Sequence, residues 1–453
     1  SNTDANITYE TADFSFVGLN LLMPNGGEFW QIGQPRQIQW QTFGLGNTVD
    51  LAYSDDNGAT WYDIETGVAN TDGTIMTYDN WIVPQSPSDE ILVKASSSFT
   101  DNQGDVLTIF DTSNTTLTFF GLRVDAPNGG ESWDIDTTVS GPHTISWTDE
   151  NAGNFVSIQY TIDGGGTWYD IISGLSASQG SIEWNPIVMP DARMQPTVEA
   201  AVRILADGPV DPDPGDPYPL VEPMFDDSDA FFTLAGIEMN SPALGSEWVI
   251  GSSGNQIRWV AAGTGSDTAR ITYSESGDFD DEIEIVAATG QNDAGSQTIY
   301  NWTIANPEPS PSNSAKIKVT AGGYEAVSDP FTLKGIEFTA PTSATGGISQ
   351  YTTYTVEWTS AGIDGNINIY YSGDGGANYG TTPLNDTPIA IDNGVNTNDR
   401  MGAFNWTVDP YETVPSEDAR LKIVVDGGDD DGFSEESDNF VLQGIQVTAT
   451  TTG

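Results

Sequence analysis

The sequence predicts an all-β protein made of four similar β-sandwich modules in tandem. Three observations lead to this prediction: a repeat of about a hundred residues, segments in which apolar and polar residues alternate, and tryptophans that recur at fixed places in the repeat. Length alone, at ~150 residues per domain, would suggest three domains. The repeat is the stronger indication, because each copy of a repeat is one structural unit.

The repeat is anchored by a pair of strand-like segments joined by a glycine. One copy reads NTTLTFFGLRVDAP (114–127), and the next reads DAFFTLAGIEMNSP (229–242). Further copies of this pair occur towards both ends of the chain. The junction glycines are Gly18, Gly121, Gly236, Gly335 and Gly444.

These glycines predict the boundaries of the modules. Outside them the chain has an N-terminal extension with an orphan strand (1–17) and a C-terminal orphan strand (444–453). The predicted domains are module 1 (18–120), module 2 (121–235), module 3 (236–334) and module 4 (335–443).

Within each module the same landmarks follow in one order. Module 1 begins with PNGGEFW (24–30), continues with a strand that ends in Trp40, and has a third landmark at Trp81 before a proline. All 13 tryptophans of the chain fall on such repeat positions. This regularity assigns them to packing in the cores and not to ligand stacking.

The strands show a period of two. In module 1, Ile38 and Trp40 alternate with Gln37, Gln39 and Gln41. One face of such a strand is buried and the other is in water, which is typical of antiparallel sheets. About seven short strands per module, separated by turns rich in Gly, Asp and Asn, indicate an immunoglobulin-like sandwich.

The motif order PNGGExW, Trp-ended strand, YSxDGGxTW and WxVP resembles that of tandem immunoglobulin-like (fibronectin-III-like) modules in large secreted and surface proteins of bacteria and archaea. The resemblance covers nearly the whole chain and is strongest in modules 1 and 2. Module 3 lacks a clean DGG turn, and module 4 has PTSATGG (341–347) in place of PNGGE. The resemblance implies the fold and an extracellular location, but no single activity.

Two segments also resemble the Asp-box of sialidases and related propeller glycosidases: SDDNGATW (54–61) and TIDGGGTW (161–168), with SGDGGANY (372–379) as a degenerate copy. We expect Asp56 and Asp163 to accept backbone hydrogen bonds across a hairpin turn, with the tryptophan packed beneath. The motif therefore predicts a structural turn. A sialidase would also need several arginines around one carboxylate, whereas the eight arginines here are scattered over the modules.

The composition excludes several classes of function. With 66 Asp and Glu against 13 Lys and Arg, the formal charge is -53, and such a chain is repelled by nucleic-acid backbones. There is no cysteine, so disulfides and thiolate chemistry are impossible. The single histidine, His143, follows a Gly-Pro turn and is expected to be a loop or strand-edge residue. No apolar run reaches the ~18–20 residues of a membrane span, and we predict no enzyme.

Two acidic insertions suggest calcium sites, because clustered carboxylate oxygens suit Ca²⁺. The first, 206–231, carries its acidic residues among prolines, and the second, 426–438, approaches an EF-hand loop but has Gly427 where the first ligand is required. Both are expected near the junction with the following module. The candidate ligands are Asp211, Asp213, Asp216, Asp429, Asp431 and Asp438.

The two ends of the chain look like incomplete modules. Residues 13–17 match the last strand of a module, and residues 445–453 match the first strand of one. Either the sequence is a window of a longer array, or the orphan strands are exchanged between subunits, since an unpaired strand readily adds to a neighbouring sheet. Strands that run through each junction with almost no linker predict a stiff rod.

The function that follows is an extracellular structural protein: the subunit of a surface filament, sheath or surface layer, or a stalk. It would assemble with copies of itself, head to tail, or with other surface components, through end-to-end contacts or β-strand addition. The alternatives are an adhesin or ligand-binding segment of a large surface protein, and a non-catalytic module of a secreted hydrolase.

Overall fold

A computed structural model describes residues 16–101, 103–136, 140–186, 194–215, 217–305, 309–391 and 400–445. Within these ranges the protein is all-β, as predicted, and a short 3₁₀ turn lies at Ala177–Gln179. The described part of the chain divides at residues 233 and 234 into two compact units. The first unit holds modules 1 and 2, and the second holds modules 3 and 4. No helix in these ranges has the length and hydrophobicity needed to cross a bilayer.

The strands repeat in length and order from one module to the next. The first unit contains β1 (Gly18–Met23), β2 (Phe29–Gln31), β3 (Pro35–Phe43), β4 (Thr48–Ser54), β5 (Tyr62–Ala69), β6 (Ile75–Ile82), β7 (Ser88–Thr100), β8 (Val106–Thr112), β9 (Leu117–Ala126), β10 (Ser132–Asp134), β11 (His143–Glu150), β12 (Phe155–Thr161), β13 (Tyr169–Ser176), β14 (Ser181–Trp184), β15 (Thr197–Asp207) and β16 (Phe225–Asp227). The strand β17 (Phe232–Ser241) follows.

The second unit continues the same pattern. Its strands are β18 (Glu247–Val249), β19 (Asn255–Ala262), β20 (Thr268–Ser274), β21 (Ile283–Gly290), β22 (Ala294–Trp302), β23 (Ser312–Ala321), β24 (Tyr324–Val327), β25 (Phe331–Ala340), β26 (Ile348–Ser349), β27 (Thr353–Ala361), β28 (Asn366–Ser372), β29 (Ile389–Ala390), β30 (Arg400–Thr407), β31 (Ser416–Asp426), β32 (Ser434–Glu436) and β33 (Phe440–Gln443).

Each module is a sandwich of two antiparallel sheets. In module 1, β1–β3–β6 faces β5–β4–β7–β9, and the short β2 runs parallel to β9. Module 3 repeats this with β17–β19–β22 and β21–β20–β23–β25, and module 4 with β25–β27–β30 and β29–β28–β31–β33. Module 2 has β9–β11–β14 and β13–β12–β15. This arrangement is the predicted immunoglobulin-like fold.

Most of the tryptophans lie in the cores, as predicted from their spacing. Nine of the 13 are buried and the other four are half-buried. A buried indole N–H needs an acceptor. In every module the tryptophan on the second long strand donates to a residue that shortly precedes the edge strand of the same sheet. The pairs are Trp40 to Asn70 Oδ1 (3.1 Å), Trp147 to the Ala177 carbonyl (2.8 Å), Trp259 to Gln291 Oε1 (3.1 Å) and Trp358 to the Ile391 carbonyl (2.9 Å).

Within each compact unit, one strand belongs to both sandwiches. The first half of β9 pairs with β7 of module 1, and its second half, from Gly121 onwards, pairs with β11 of module 2. In the same way β25 pairs first with β23 of module 3 and then, from Gly335, with β27 of module 4. The chain therefore passes between the two modules of a unit without a linker, as the junction motif predicts.

The junction glycine is required because another residue packs where its Cβ would be. A Cβ built on Gly121, whose φ is +152°, would lie 2.6 Å from Ile32 Cγ1. Ile32 is held there by its N–H, which donates to the Phe120 carbonyl at 3.1 Å. The same arrangement occurs at Gly335, whose Cβ would lie 3.0 Å from Ile250 Cδ1.

The predicted orphan strands fall almost entirely outside the described residues. Phe16 and Val17 precede β1 and are not part of a strand, and neither are Gly444 and Ile445 after β33. Residues 13–15 and 446–453 are not described, so these two strands stay predictions.

Replacing Gly121 with alanine is expected to lower the free energy of unfolding by ~1–3 kcal/mol, because Ile32 or the strand must shift to admit the new methyl group. Urea unfolding of the full chain, followed by tryptophan fluorescence, measures the change. Gly18→Ala is the matched control, since it occupies the same repeat position but has no heavy atom within 4 Å of its built Cβ. Equal stabilities of the two variants would contradict the packing explanation.

Candidate functional site in the turns and module interfaces

The PNGGE motif forms a turn that a glutamate closes. Glu28 accepts hydrogen bonds from the backbone N–H groups of Asn25 and Gly26, both at 2.7 Å. In module 2, Glu131 accepts from Asn128 at 2.8 Å and Gly129 at 2.7 Å. The repeated spacing of asparagine and glutamate in the motif thus has a local, structural cause.

Modules 3 and 4 keep this turn without the glutamate. In module 3 the N–H of Ala243 donates to Ser246 Oγ at 3.1 Å, and in module 4 the N–H of Thr342 donates to Thr345 Oγ1 at 2.8 Å. A hydroxyl therefore replaces the carboxylate at the same distance along the chain. The loss of the motif in module 4 does not mean the loss of the turn.

The Asp-box segments are hairpin turns, as predicted. Asp56 Oδ1 accepts from the backbone N–H of Thr60 and from Ser54 Oγ, both at 2.7 Å. Trp61 closes the turn by donating its indole N–H to the Gly58 carbonyl at 3.1 Å. Asp163 makes the equivalent bonds with Thr167 and Thr161, and the degenerate copy in module 4 does so through Asp374, Asn378 and Ser372.

These hydrogen bonds lower the pKa of each aspartate. The pKa of Asp56 falls mainly through the backbone bond from Thr60. The hydroxyl of Ser372 and the side chain and backbone of Asn378 bring the pKa of Asp374 to about 2. Carboxylates that are held ionised in this way stabilise a turn but are poor general acids.

Module 3 builds its turn from a different aspartate. Asp281 accepts from Ser274 Oγ and, at 2.9 Å, from the N–H of Ser276, although it lies five residues beyond that serine. Phe279 adopts a left-handed φ of +64° inside the longer turn. The sequence shows that module 3 lacks the DGG turn, but it does not predict this substitute.

A cation lies over the aromatic ring of this turn in all four modules, which the sequence analysis did not predict. The four cations occupy one register position, on the strand next to the turn, opposite Ala52, Gln159, Thr272 and Tyr370. The pairs are Lys94 with Trp61 (4.0 Å), Arg203 with Trp168 (4.1 Å), Lys318 with Phe279 (4.4 Å) and Lys422 with Tyr379 (5.4 Å to the ring centroid).

The acidic insertion of module 2 contacts the preceding module, a contact that the sequence does not predict. The side chain of Gln31 in module 1 forms two hydrogen bonds with the backbone of Val221, donating to its carbonyl at 2.9 Å and accepting from its N–H at 2.8 Å. The Arg36 guanidinium lies 4.5 Å from the ring centroid of Tyr218. Gln31 and Arg36 are both buried. The insertion is therefore a strap that joins module 2 to module 1.

Two of the three predicted calcium ligands of this insertion lie in the described residues. Asp211 and Asp213 lie together, with the N–H of Asp213 donating to Asp211 Oδ1 at 2.9 Å, whereas Asp216 lies outside the described residues. The acidic residues that follow have structural partners: Asp227 forms an ion pair with Arg203 at 2.6 Å. Asp226, whose pKa burial raises to about 6, accepts from the N–H of Val124 at 2.8 Å.

The acidic insertion of module 4 also reaches the preceding module. Asp430, between two of the predicted ligands, forms a 2.7 Å ion pair with Lys334 of module 3, and the two side chains are only 11% and 16% exposed. Asp430 also accepts from the N–H of Asp364 at 2.9 Å. This ion pair lowers the pKa of Asp430 against the effect of burial and raises the pKa of Lys334.

The three predicted ligands of module 4 are not brought to one point. Asp431 accepts from the N–H of Gly427 at 2.9 Å inside the insertion, and the N–H of Asp429 points to Asp364 Oδ2 at 3.4 Å. Asp438 lies at the turn that opens the module, where it accepts from the N–H of Ser343 at 3.0 Å. In the described ranges, no three Asp, Glu or His side chains form a group that could hold a metal ion. Calcium binding by either insertion stays a prediction.

His143 is the first residue of β11, in agreement with the expected strand-edge position. Its ring stacks on Trp133 with the centroids 4.8 Å apart, and Nε2 lies 2.8 Å from the Asp134 carbonyl. The histidine is thus part of the packing at one end of the module.

No protein-family model matches the sequence, and no curated protein is similar to it. Three similar solved structures are the fibronectin(III)-like modules of Clostridium thermocellum CbhA (14% identity, 46% of this chain and 94% of that one, TM-score 0.16), Dpr2 Ig1–Ig2 in complex with DIP-Theta Ig1–Ig3 (9%, 70% and 98%, 0.22) and the I9–I11 tandem of titin (12%, 71% and 99%, 0.18). At these scores the assignment of the fold rests on the strand order alone.

Replacing Asp374 with asparagine is expected to remove part of the acid sensitivity of module 4. Because the folded-state pKa is about 2 and the unfolded value is about 4, the ionised carboxylate stabilises the fold above pH 4, and this contribution is lost as the pH falls towards 2. The difference in melting temperature between wild type and Asp374→Asn should therefore be largest above pH 4 and vanish near pH 2. Glu417→Gln, which removes one exposed carboxylate of the same module, controls for net charge. A difference that does not change with pH would contradict this account.

Proposed function

We propose that the chain is an extracellular structural protein: the subunit of a surface filament, sheath or surface layer, or a stalk, that assembles through its ends. The observation that carries the proposal is the double connection between the modules of each compact unit. One strand is shared by two sandwiches, and a loop of the later module is fastened to the earlier one. Such a connection suits a protein that transmits force or holds a fixed spacing.

The two connections resist different movements. The shared strand is hydrogen-bonded in both sandwiches, so pulling along it must break ladders of bonds in both modules. Beside the junction, Gln31 contacts Val221 in the first unit, and Lys334 contacts Asp430 in the second. These contacts hold a loop of the later module against the earlier one and oppose separation of the two modules. Together they make each unit a stiff element.

The composition supports the proposed location and role. A charge of -53 keeps a large exposed scaffold soluble through repulsion between copies, and such repulsion can be relieved by divalent cations. The repeated polar elements, the closed turns and the cation–aromatic pairs, all serve folding. In the described residues these elements support the fold and are not arranged as catalytic groups. We therefore propose that the protein acts through contacts between surfaces.

Electron microscopy of the purified protein, with and without EDTA, tests the proposal. Ordered filaments or lattices are the expected result, with closer packing when Ca²⁺ is present. Monodisperse monomers in both conditions would contradict the assembly, and saturable binding of a ligand by such monomers would favour the adhesin alternative.

Replacing Lys334 with methionine is expected to loosen module 4 from module 3, because Asp430 would then be left with little exposure and no cation. Since the chain has no cysteine, spin labels on Glu325→Cys and Thr387→Cys, both at exposed positions, report one distance between the two modules. The distance distribution should be narrow in the wild-type background and broader with Lys334→Met.

Lys422→Met is the matched control. It removes a lysine that lies within module 4, over Tyr379 and 3.7 Å from Glu436, and it should leave the distribution between the modules narrow. Equal widths for both variants would show that the ion pair between the modules does not fix their orientation.

A further inference from the structure

A cavity of about 540 Å³ opens in module 3 where the chain crosses from one sheet to the other. Strand β17 pairs with β19 as far as Arg258, and the chain then continues to β18, which pairs with β25 of the second sheet. The cavity is lined by Trp248, Asn255 and Gln256, together with Arg258 and Gln297, all in the second compact unit. Its volume is typical of a small-molecule site, roughly 300–1,000 Å³.

The indole of Trp248 is held in place by two aromatic rings of the core. Its centroid lies 4.9 Å from that of Phe331 and 6.1 Å from that of Trp302. In module 2 the tryptophan of the same motif, Trp133, has the matching neighbours, a phenylalanine at 5.0 Å and a tryptophan at 6.0 Å. The two indoles therefore occupy equivalent places, and both are half-buried.

A residue on the neighbouring long strand covers this indole in module 2. The ring of His143 stacks on Trp133 with the two planes 4° apart. The equivalent residue of module 3 is Asn255, because the two residues occupy one register position, opposite Trp184 and Trp302 respectively. Module 3 thus keeps the indole but has no second ring to stack on it from this position.

The side chain of Asn255 is engaged elsewhere. Its Nδ2 donates to Ser252 Oγ at 3.0 Å and approaches the Trp302 carbonyl at 3.4 Å. Asn255 and Trp248 both line the cavity. An indole that is fixed from behind and left uncovered in front is a rigid platform for a ligand.

An arginine beside the platform is paired with an amide and not with a carboxylate. Arg258 donates from Nε to Gln256 Oε1 at 3.2 Å and from Nη2 to the same oxygen, and within the described residues these are its hydrogen bonds. The residues that precede the equivalent core tryptophans in modules 1, 2 and 4 are Gln39, Ser146 and Glu357. Module 3 therefore places a guanidinium, with donors left for a ligand, where the other modules have none.

We propose that module 3 binds a saccharide in this cavity. A pyranose ring has a face of C–H groups, which packs on an indole, and a rim of hydroxyl groups, which both donate and accept hydrogen bonds. Trp248 supplies the surface for the first, and Arg258, Gln256 and Gln297 supply donors and acceptors for the second. The site adds ligand binding to one module and does not depend on whether the chain assembles.

Two features of the chain narrow the ligand further. The formal charge of -53 repels polyanionic saccharides, so a neutral saccharide is favoured. A peptide that adds as a strand fits less well, because only residues 255–257 of β19 extend beyond the end of β17, fewer than the about five to six residues of a typical strand. The side chains of the cavity, and not a strand edge, are therefore the binding groups.

A glycan array probed with the fluorescently labelled full chain tests the proposal. The array carries neutral oligosaccharides of hexoses and N-acetylhexosamines, and oligosaccharides that contain uronic acids. The wild type should bind some of the neutral ones, and calorimetric titration with the best of them gives the affinity. Arg258→Ala should lower this affinity by about tenfold, the usual effect of losing one polar contact. Asn255→His should abolish binding, because the imidazole would cover Trp248 as His143 covers Trp133.

Gln39→Ala is the matched control, since it changes the residue of module 1 at the position of Arg258 and should leave the affinity unchanged. Circular dichroism and urea unfolding verify that each variant is folded. A folded wild type that binds no saccharide on the array, even at millimolar concentration in titration, would overturn the proposal. Binding that Arg258→Ala and Asn255→His leave intact would overturn it as well, because the saccharide would then lie elsewhere. Neither result bears on the assembly seen by electron microscopy.

Discussion

The architecture depends on one steric constraint, the close approach of a side chain to the glycine at which a strand changes sandwich. A strand can pair with two sheets in succession only if the residue at the crossing leaves room for a neighbouring side chain. That side chain follows the short parallel strand: it is Ile32 at Gly121 and Ile250 at Gly335. With that room, hydrogen bonds continue on both sides of the junction and no linker is needed. The pairing of one strand with both sandwiches of a unit depends on this crossing.

Much of the fold could be predicted from the sequence because it is determined locally. The two-residue period, the tryptophan positions and the aspartate turns involve neighbours in the chain, and repetition made each of them visible several times. The destination of the acidic insertions could not be predicted, because Gln31 and Val221 are 190 residues apart and neither carries a signal for the other. The opening turn of module 4 could not be predicted for a different reason. A threonine hydroxyl replaces the glutamate, so the hydrogen bond is kept although the sequence motif is lost.

The candidate calcium ligands illustrate the limit of composition as a guide. A group of aspartates in an acidic protein predicts a cation site, yet Asp438 accepts a backbone hydrogen bond at the opening turn of its module, and the neighbouring Asp430 has a lysine as its partner. The few basic residues are placed with regularity. Four of the 13 lie over the aromatic ring of the same turn, one in each module. In such a chain the positions of the few lysines and arginines say more about the structure than the large number of aspartates and glutamates does.

The straps have a consequence for how an array of this kind can change in length. Module 2 carries the loop that grips module 1, and module 4 carries the loop that grips module 3, whereas in module 3 the corresponding strands β23 and β24 are joined by the pair Gly322 and Gly323. A pair of modules is therefore the smallest unit in which a strap keeps its partner. Loss or gain of a single module would place a strap against a neighbour that lacks its receptor residues, while duplication of a pair keeps every strap with its partner.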